Sequence, residues 1–378
     1  MARWVDGRRK FMPNNGDIKV LLKLTWNASI NDYTLSAIGD TQDRFRYGSI
    51  IAIKRFDGAL YIALSNGKSA SSSSTIITAP EPPACYGIHR SRDNGLTWEK
   101  VGVNPGGALP SDMEIQGASL LVGFHGAGIY RLCQEIFPLN AVDIWCPLGP
   151  TESRPSSCPD VSSGLPNPTV TLFDHVEIAV SPQNSAVIYA AYGQCESENY
   201  LCSANPLFFV SRDGGVSWES RTNNAEIRTY SRYMHVLKVD PQNDNRVYYG
   251  GLGLYRSDDS ANNFVNQTGY GDYLHFDLHD LVFPDLNEPL LQYVATDGGI
   301  YIRDRRVGVQ STYPVNDGLE TIQFYSISSD NSEGAPLLMG GTQDNGTAFF
   351  SGSPSFKKDI TNSIFAANDR FLSPVYAD

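Results

Sequence analysis

The chain has 378 residues, 41% of them hydrophobic, and its 29 Lys and Arg against 41 Asp and Glu leave a formal charge of -12. That balance excludes a polyanion such as nucleic acid as the natural partner, because phosphate binding rests on Lys and Arg neutralising charge. No run approaches the roughly 18 to 20 apolar residues that cross a bilayer, so membrane insertion is excluded too.

The basic start, MARWVDGRRKFMPNNGD, lacks the apolar stretch of a secretion signal. From DIKVLLKL onward, short Val/Ile/Tyr/Phe runs separated by Gly, Asn, Asp and Pro recur, and no long amphipathic helical pattern interrupts them. That is the pattern of an all-β chain. A Ser-rich loop insertion occupies 65–85, and GIHRS then begins at Gly87. Related blocks begin at Gly128 (GIYRL), Leu207 (LFFVS), Gly253 (GLYRS), Gly299 (GIYIR) and Gly346 (GTAFF). All steps but one span about 40 to 50 residues, the period of propeller blades. The long step contains a Pro- and Cys-rich insertion at 133–170. These spacings predict a single β-propeller domain over 1–378, built of four-stranded blades. Six repeats are visible, and a seventh blade would close the ring from DIKVLLKL and the tail SIFAANDRFLSPVYAD. The competing reading is a longer protein that has been cut, since the tail resembles the start of another repeat.

SRDNGLTWEK at 91–100 returns as SRDGGVSWES at 211–220. Asn94-Gly95 and Gly214-Gly215 suit tight turns at positive φ. Asp93 and Asp213 can accept turn N–H bonds, and Trp98 and Trp218 can pack between sheets. A worn copy, SDDSANNF at 257–264, keeps Ser257 and Asp259 but has Phe264 in place of Trp. The motif Ser91, Asp93, Gly95, Trp98 and its counterpart Ser211, Asp213, Gly215, Trp218 resemble the Asp-box, or bacterial neuraminidase repeat, of sialidase-like β-propellers. The resemblance implies that these boxes are structural turns between third and fourth strands, away from the ligand. HFDLHDLVF, VATDGGIYI, VNDGLETIQFYSI and GGTQDNGT look like successive segments of a group of secreted Asp-box proteins. The sialidase pattern departs at its chemical centre: no Tyr/Phe-Arg-Ile-Pro motif is present near the start, and no arginine triad can be assigned.

Six cysteines form an even set without any CxxC pair. Cys195 with Cys202 and Cys133 with Cys146 bracket short segments and read as local disulfides, leaving Cys85 and Cys158. Such usage points to an oxidising compartment, extracellular or at the cell surface. Sequons at Asn27, Asn266 and Asn345 are about what chance supplies.

In a propeller the first strand of each blade lines the channel. Aligning FDHVEIAVSP, YMHVLKVDP, LHDLVFP and FYSISSD sets Val176, His235, His279 and Tyr325 in one layer. Asp174, Tyr233, Asp277 and Gln323 follow two residues back; a one-residue slip in the first of these strands exchanges Asp174 for Phe173. His275, Asp277 and His279 alternate and are expected to face the channel together, holding a polar ligand or, alternatively, a metal. No other cofactor is implied. Loop elaboration, including TDGG with Asp297 and TQDNG with Asp344, falls on the face opposite the boxes. Three functions fit: a binding module for a glycan or an extracellular protein, a glycoside hydrolase using Asp277, Asp297 and Asp344, or a self-assembling structural subunit. Tyr61, Tyr248 and Tyr293 read as packing residues, and Arg303, Asp304, Arg305 and Arg306 as a charge run on a turn.

Overall fold

The computed structural model describes residues 21–27, 32–38, 49–65, 86–136, 141–151, 154–160, 162–169, 171, 173–194, 205–221, 226–229, 235–268, 274–306, 311–316, 324–330, 337–342 and 347–350. They are β throughout apart from a single 3-10 turn. Strands β1 (Leu21–Asn27) and β2 (Asp32–Ile38) pair as an antiparallel hairpin. Five four-stranded antiparallel sheets follow, each made of consecutive strands. Blade 1 is β3 (Ser49–Phe56), β4 (Ala59–Ser65), β5 (Gly87–Ser91) and β6 (Glu99–Lys100). Blade 2 is β7 (Pro110–Gln116), β8 (Ser119–Phe124), β9 (Gly128–Ile136) and β10 (Ala141–Pro147). Blade 3 is β11 (Phe173–Val180), β12 (Ile188–Gln194), β13 (Leu207–Ser211) and β14 (Glu219–Arg221). Blade 4 is β15 (Val236–Asp240), β16 (Asn243–Gly250), β17 (Leu254–Ser257) and β18 (Val265–Asn266). Blade 5 is β19 (Leu278–Val282), β20 (Leu291–Thr296), β21 (Gly299–Asp304) and β22 (Ser311–Pro314). A three-stranded sheet, β23 (Phe324–Asp330), β24 (Leu337–Thr342) and β25 (Thr347–Phe350), completes the described chain.

The fold is an all-β propeller, with five complete blades among the described residues rather than the seven expected; the sixth repeat block falls on the three-stranded sheet. The repeat blocks mark third strands, and a third strand does not reveal whether a fourth pairs beyond it. The expected closing strand at the start pairs instead with its own neighbour as β1 and β2; the tail lies outside the described residues.

The chain divides into two compact units, 1–267 and 268–378. In the first, β3, β7, β11 and β15 adjoin in that order, so the first strands of blades 1 to 4 lie side by side. Second strands sit between two neighbouring sheets and are buried on both faces, which is why β4 and β12 read as continuous apolar runs, ALYIALS and IYAAYGQ. The core fills the spaces between successive blades. Tyr61, Ile88, Met113 and Trp145 join blades 1 and 2; Leu121, Ile178, Ile188 and Trp218 join blades 2 and 3; Tyr189, Phe208, Tyr249 and Phe264 join blades 3 and 4.

In the second unit, Arg303 corrects the reading of a surface charge run. It lies within β21, is 1% exposed, and donates from Nη1 to Gln292 Oε1 at 2.6 Å. Strand alternation turns it inward while Arg306, beyond the strand end, is exposed and pairs with Asp304.

The expected Cys133–Cys146 bond is also corrected. Cys146 is joined to Cys158, and Cys133 carries a free thiol. The β9–β10 register places Cys133 opposite Ile144 and Cys146 opposite Arg131, two positions apart along paired strands and beyond disulfide reach. Cys133 and Cys146 thus belong to regular blade structure, and only the stretch after Pro147 is a true connection. Cys85, Cys195 and Cys202 lie outside the described residues.

Candidate metal and ligand centre

The strand registers of the first unit separate its two ends. Ser65 pairs with Ser49 and Gln194 with Phe173, so the connections that follow β4 and β12 leave from the end where first strands begin. The Ser-x-Asp turns close the opposite end, since Ser91 faces Leu60, Ser211 faces Ile188 and Ser257 faces Val247.

Each of those turns is held by one repeated set of bonds. Gly95 N–H donates to Ser91 Oγ at 2.7 Å, Gly215 N–H to Ser211 Oγ at 2.8 Å, and Ala261 N–H to Ser257 Oγ at 2.9 Å. The following carboxylate accepts from Thr97, Ser217 or Asn263 N–H at 2.8 to 2.9 Å. The Thr97 and Ser217 hydroxyls, with the turn N–H groups, hold the Asp93 and Asp213 carboxyls down to about 2. Trp98, Trp218 and Phe264 are buried below the turns. All the acceptor capacity described for these aspartates is directed into their own turns.

The other end carries an imidazole cluster. His125 follows β8, His175 lies in β11, and His235 immediately precedes β15. The His125 and His175 ring centres are 5.2 Å apart, and those of His175 and His235 are 4.8 Å apart. His235 also meets Tyr249 edge-on at 5.1 Å. Gly123 makes this approach feasible: a Cβ there would stand 2.6 Å from Val176 O, so only glycine lets β8 lie so close to β11. His175 Nε2 lies 3.1 Å from Glu177 Oε2, and His125 Nδ1 lies 3.3 Å from Asp174 Oδ1. Asp112, on neighbouring β7, accepts from Ile178 N–H at 2.8 Å.

Burial sets the protonation here. It holds the His175 imidazole down to about 3, with His125 adding to the effect, and it pushes His235 well below the usual histidine range, with His175 next in importance. Burial, then Glu177 and Glu114, push the Asp112 carboxyl well above the carboxylate range. At neutral pH the His175 and His235 rings are therefore neutral lone-pair donors beside a surplus of acid.

Of the residues expected here, His235 takes part and Val176 does not. Val176 is fully buried between blades 2 and 3, and His175 is the residue that meets His235. A bulge between Phe173 and Val176 shifts β11 by one position. His125 was invisible to strand alignment because it belongs to a turn. Tyr233, Gln323 and Asp344 lie outside the described residues, and Tyr325 lies in β23.

The second unit corrects the expected His275, Asp277, His279 alternation. Strand β19 begins at Leu278, and Asp277 has a φ of 65°, so His275 and Asp277 precede the strand and the two-residue repeat is broken. His275 packs over Gly298, where a Cβ would lie 2.6 Å from its ring, and His279 Nε2 pairs with Asp297 Oδ1 at 2.5 Å. Among the described residues, the group of three metal-competent side chains within mutual reach is His175, Glu177 and His235, whose ligand atoms lie within 4.8 Å of one another.

No family model matches the chain, and no curated protein matches it either. Among solved structures, the GH74 enzyme of Niastella koreensis is 14% identical, with a TM-score of 0.49 over 85% of this chain and 46% of that one. The chain thus spans about half the length of that enzyme. YCF48 from Cyanidioschyzon merolae is 13% identical, with a TM-score of 0.44 over 85% of both chains. PorZ, a bacterial surface component of the type-IX secretion system of Porphyromonas gingivalis, is 15% identical, with a TM-score of 0.46 over 89% of this chain and 46% of that one.

Proposed function

We propose that this propeller is an extracellular binding module that holds a polar ligand, glycan or protein, at the blade end where the first strands begin. One observation carries the reading. In the first unit, the polar cluster of His125, Asp174, His175 and His235 lies at the end from which the β4–β5 and β12–β13 connections leave, while the Ser-x-Asp turns occupy the other end. Elaborated loops on a rigid scaffold are where recognition usually resides. The Cys146–Cys158 disulfide supports an oxidising compartment. The sialidase-like family assignment rests on the turn motif and belongs to this proposal. So does self-assembly, which would show as elution only in large species.

The hydrolase reading requires two carboxylates flanking one bond. Asp297 is engaged by His279, which does not favour that use. Among the described residues no helix is long and apolar enough to cross a membrane.

The test screens the full chain against immobilised polysaccharides and extracellular-protein peptides, then repeats each positive with 66–85 or 195–204 replaced by a short Gly/Ser linker. Loss of binding in either loop variant supports the proposal. Undiminished binding in both, with loss on disrupting a Ser-x-Asp turn, would overturn it.

A further inference from the structure

We infer that His175, Glu177 and His235 form a binding site for a divalent first-row metal ion, zinc by the character of its ligands. The inference goes beyond the binding-module reading and does not depend on it. Two imidazoles and one carboxylate form a donor set suited to zinc, and three protein ligands leave a fourth position open. Bonds of about 2.0 to 2.1 Å imply ligand–ligand edges near about 3.4 Å. His175 Nε2 and Glu177 Oε2 already stand 3.1 Å apart, and the whole set, His235 included, lies within 4.8 Å.

A second observation points to the same spot. His235 is 7% exposed, yet neither ring nitrogen has a hydrogen-bond partner, and the remaining ring nitrogen of His175 has none. Each unmet polar atom of a buried imidazole so placed is destabilising, and buried polar atoms are seldom left so. Packing of His235 against His175 and Tyr249 explains its burial and leaves its nitrogens unexplained. A metal ion takes one of them directly.

Charge agrees. Asp112, Glu114, Asp174 and Glu177 gather along β7 and β11, and Lys54, paired with Glu114 at 2.6 Å, is the basic side chain set among them. A dication offsets that surplus of partly buried acid, whereas a neutral ligand does not. His125 and Asp174 flank the site and can orient the open position.

The experiment strips the full chain with chelator, titrates Zn2+ by calorimetry, and follows Co2+ through its visible d–d absorption. One equivalent is expected, with tetrahedral Co2+ bands and a melting temperature raised by Zn2+. His235→Gln and His175→Ala should each weaken binding about 100-fold, and Glu177→Gln about 10- to 100-fold; His275→Ala should change nothing. His235→Gln retains a polar side chain of similar bulk and guards against misfolding in His175→Ala. Absence of stoichiometric binding to the folded wild type overturns the inference. So does binding that survives unchanged in His235→Gln, or that is lost in His275→Ala.

Discussion

Ser211 should matter more to stability than Asp213, although the aspartate is the residue that marks the turn. In Ser211→Ala the Gly215 N–H, buried and bonded at 2.8 Å, loses its acceptor. Leaving such a donor unmet costs about 1 to 3 kcal/mol. In Asp213→Ala the freed Val216 and Ser217 N–H groups are exposed and return to solvent. Solvent-screened bonds of that kind contribute about 1 kcal/mol in total. The serine variant should therefore be the weaker by about 1 kcal/mol, roughly fivefold in the unfolding constant. Urea titration at neutral pH, followed by tryptophan emission and far-ultraviolet dichroism, measures both. An Asp213→Ala loss equal to or greater than that of Ser211→Ala would refute the view that burial of the donor, not charge of the acceptor, decides the contribution.

Because the folded Asp213 carboxyl titrates near about 2 against an ordinary 3.8, its contribution is complete above the ordinary value and disappears as pH falls toward 2. The stability gap between wild type and Asp213→Asn should be flat above about pH 5 and close between roughly pH 4 and 2; a gap that widens on acidification contradicts the assignment. Gly164→Ala sets a Cβ 1.9 Å from Trp218 O at a φ of +94° and must displace the Trp218 N–H bond to Ser163 O. A loss of at least about 2 kcal/mol is expected in the same titration, and a neutral result shows that the connection does not grip the turn. Gln292→Leu removes the 2.6 Å partner of buried Arg303 and should lower stability by about 1 to 3 kcal/mol, measured by thermal unfolding. An unchanged melting temperature would show that Arg303 is satisfied without it.

Strand existence was readable wherever a local rule applied. Gly87, Gly128, Leu207 and Gly299 each open a third strand, because the apolar residues within the strand are set by near neighbours. Blade number was not readable, since it depends on which fourth strands find an edge. The candidate centre was half legible. His175 and Glu177 show the two-residue spacing that drew attention to His275, Asp277 and His279, but apolar Val176 fitted the assumed register and hid them. A bulge is invisible to alternation, which it interrupts by one residue. The unit-two histidines failed for the converse reason: their alternation is real in sequence, but Asp277 adopts a left-handed conformation before the strand starts. Arg303 carries the charge of a surface residue, but strand parity within β21 turns it inward.

The bond between Cys146 and Cys158 closes a small covalent ring around exposed Arg154, whose guanidinium donates to the carbonyls of Cys158 and Pro159. Immediately beyond the ring, Ser162 bonds back to Leu148 and Ser163 accepts from Trp218 on blade 3. Pro155 follows Arg154 and bars a trypsin-like cut there, but a protease cutting elsewhere within the ring, for instance between Ser156 and Ser157, would leave both new ends tied to the blades they came from. The nicked chain would migrate as one species until reduced and then as two. The scar itself would report whether the molecule had met reductant since the cut was made.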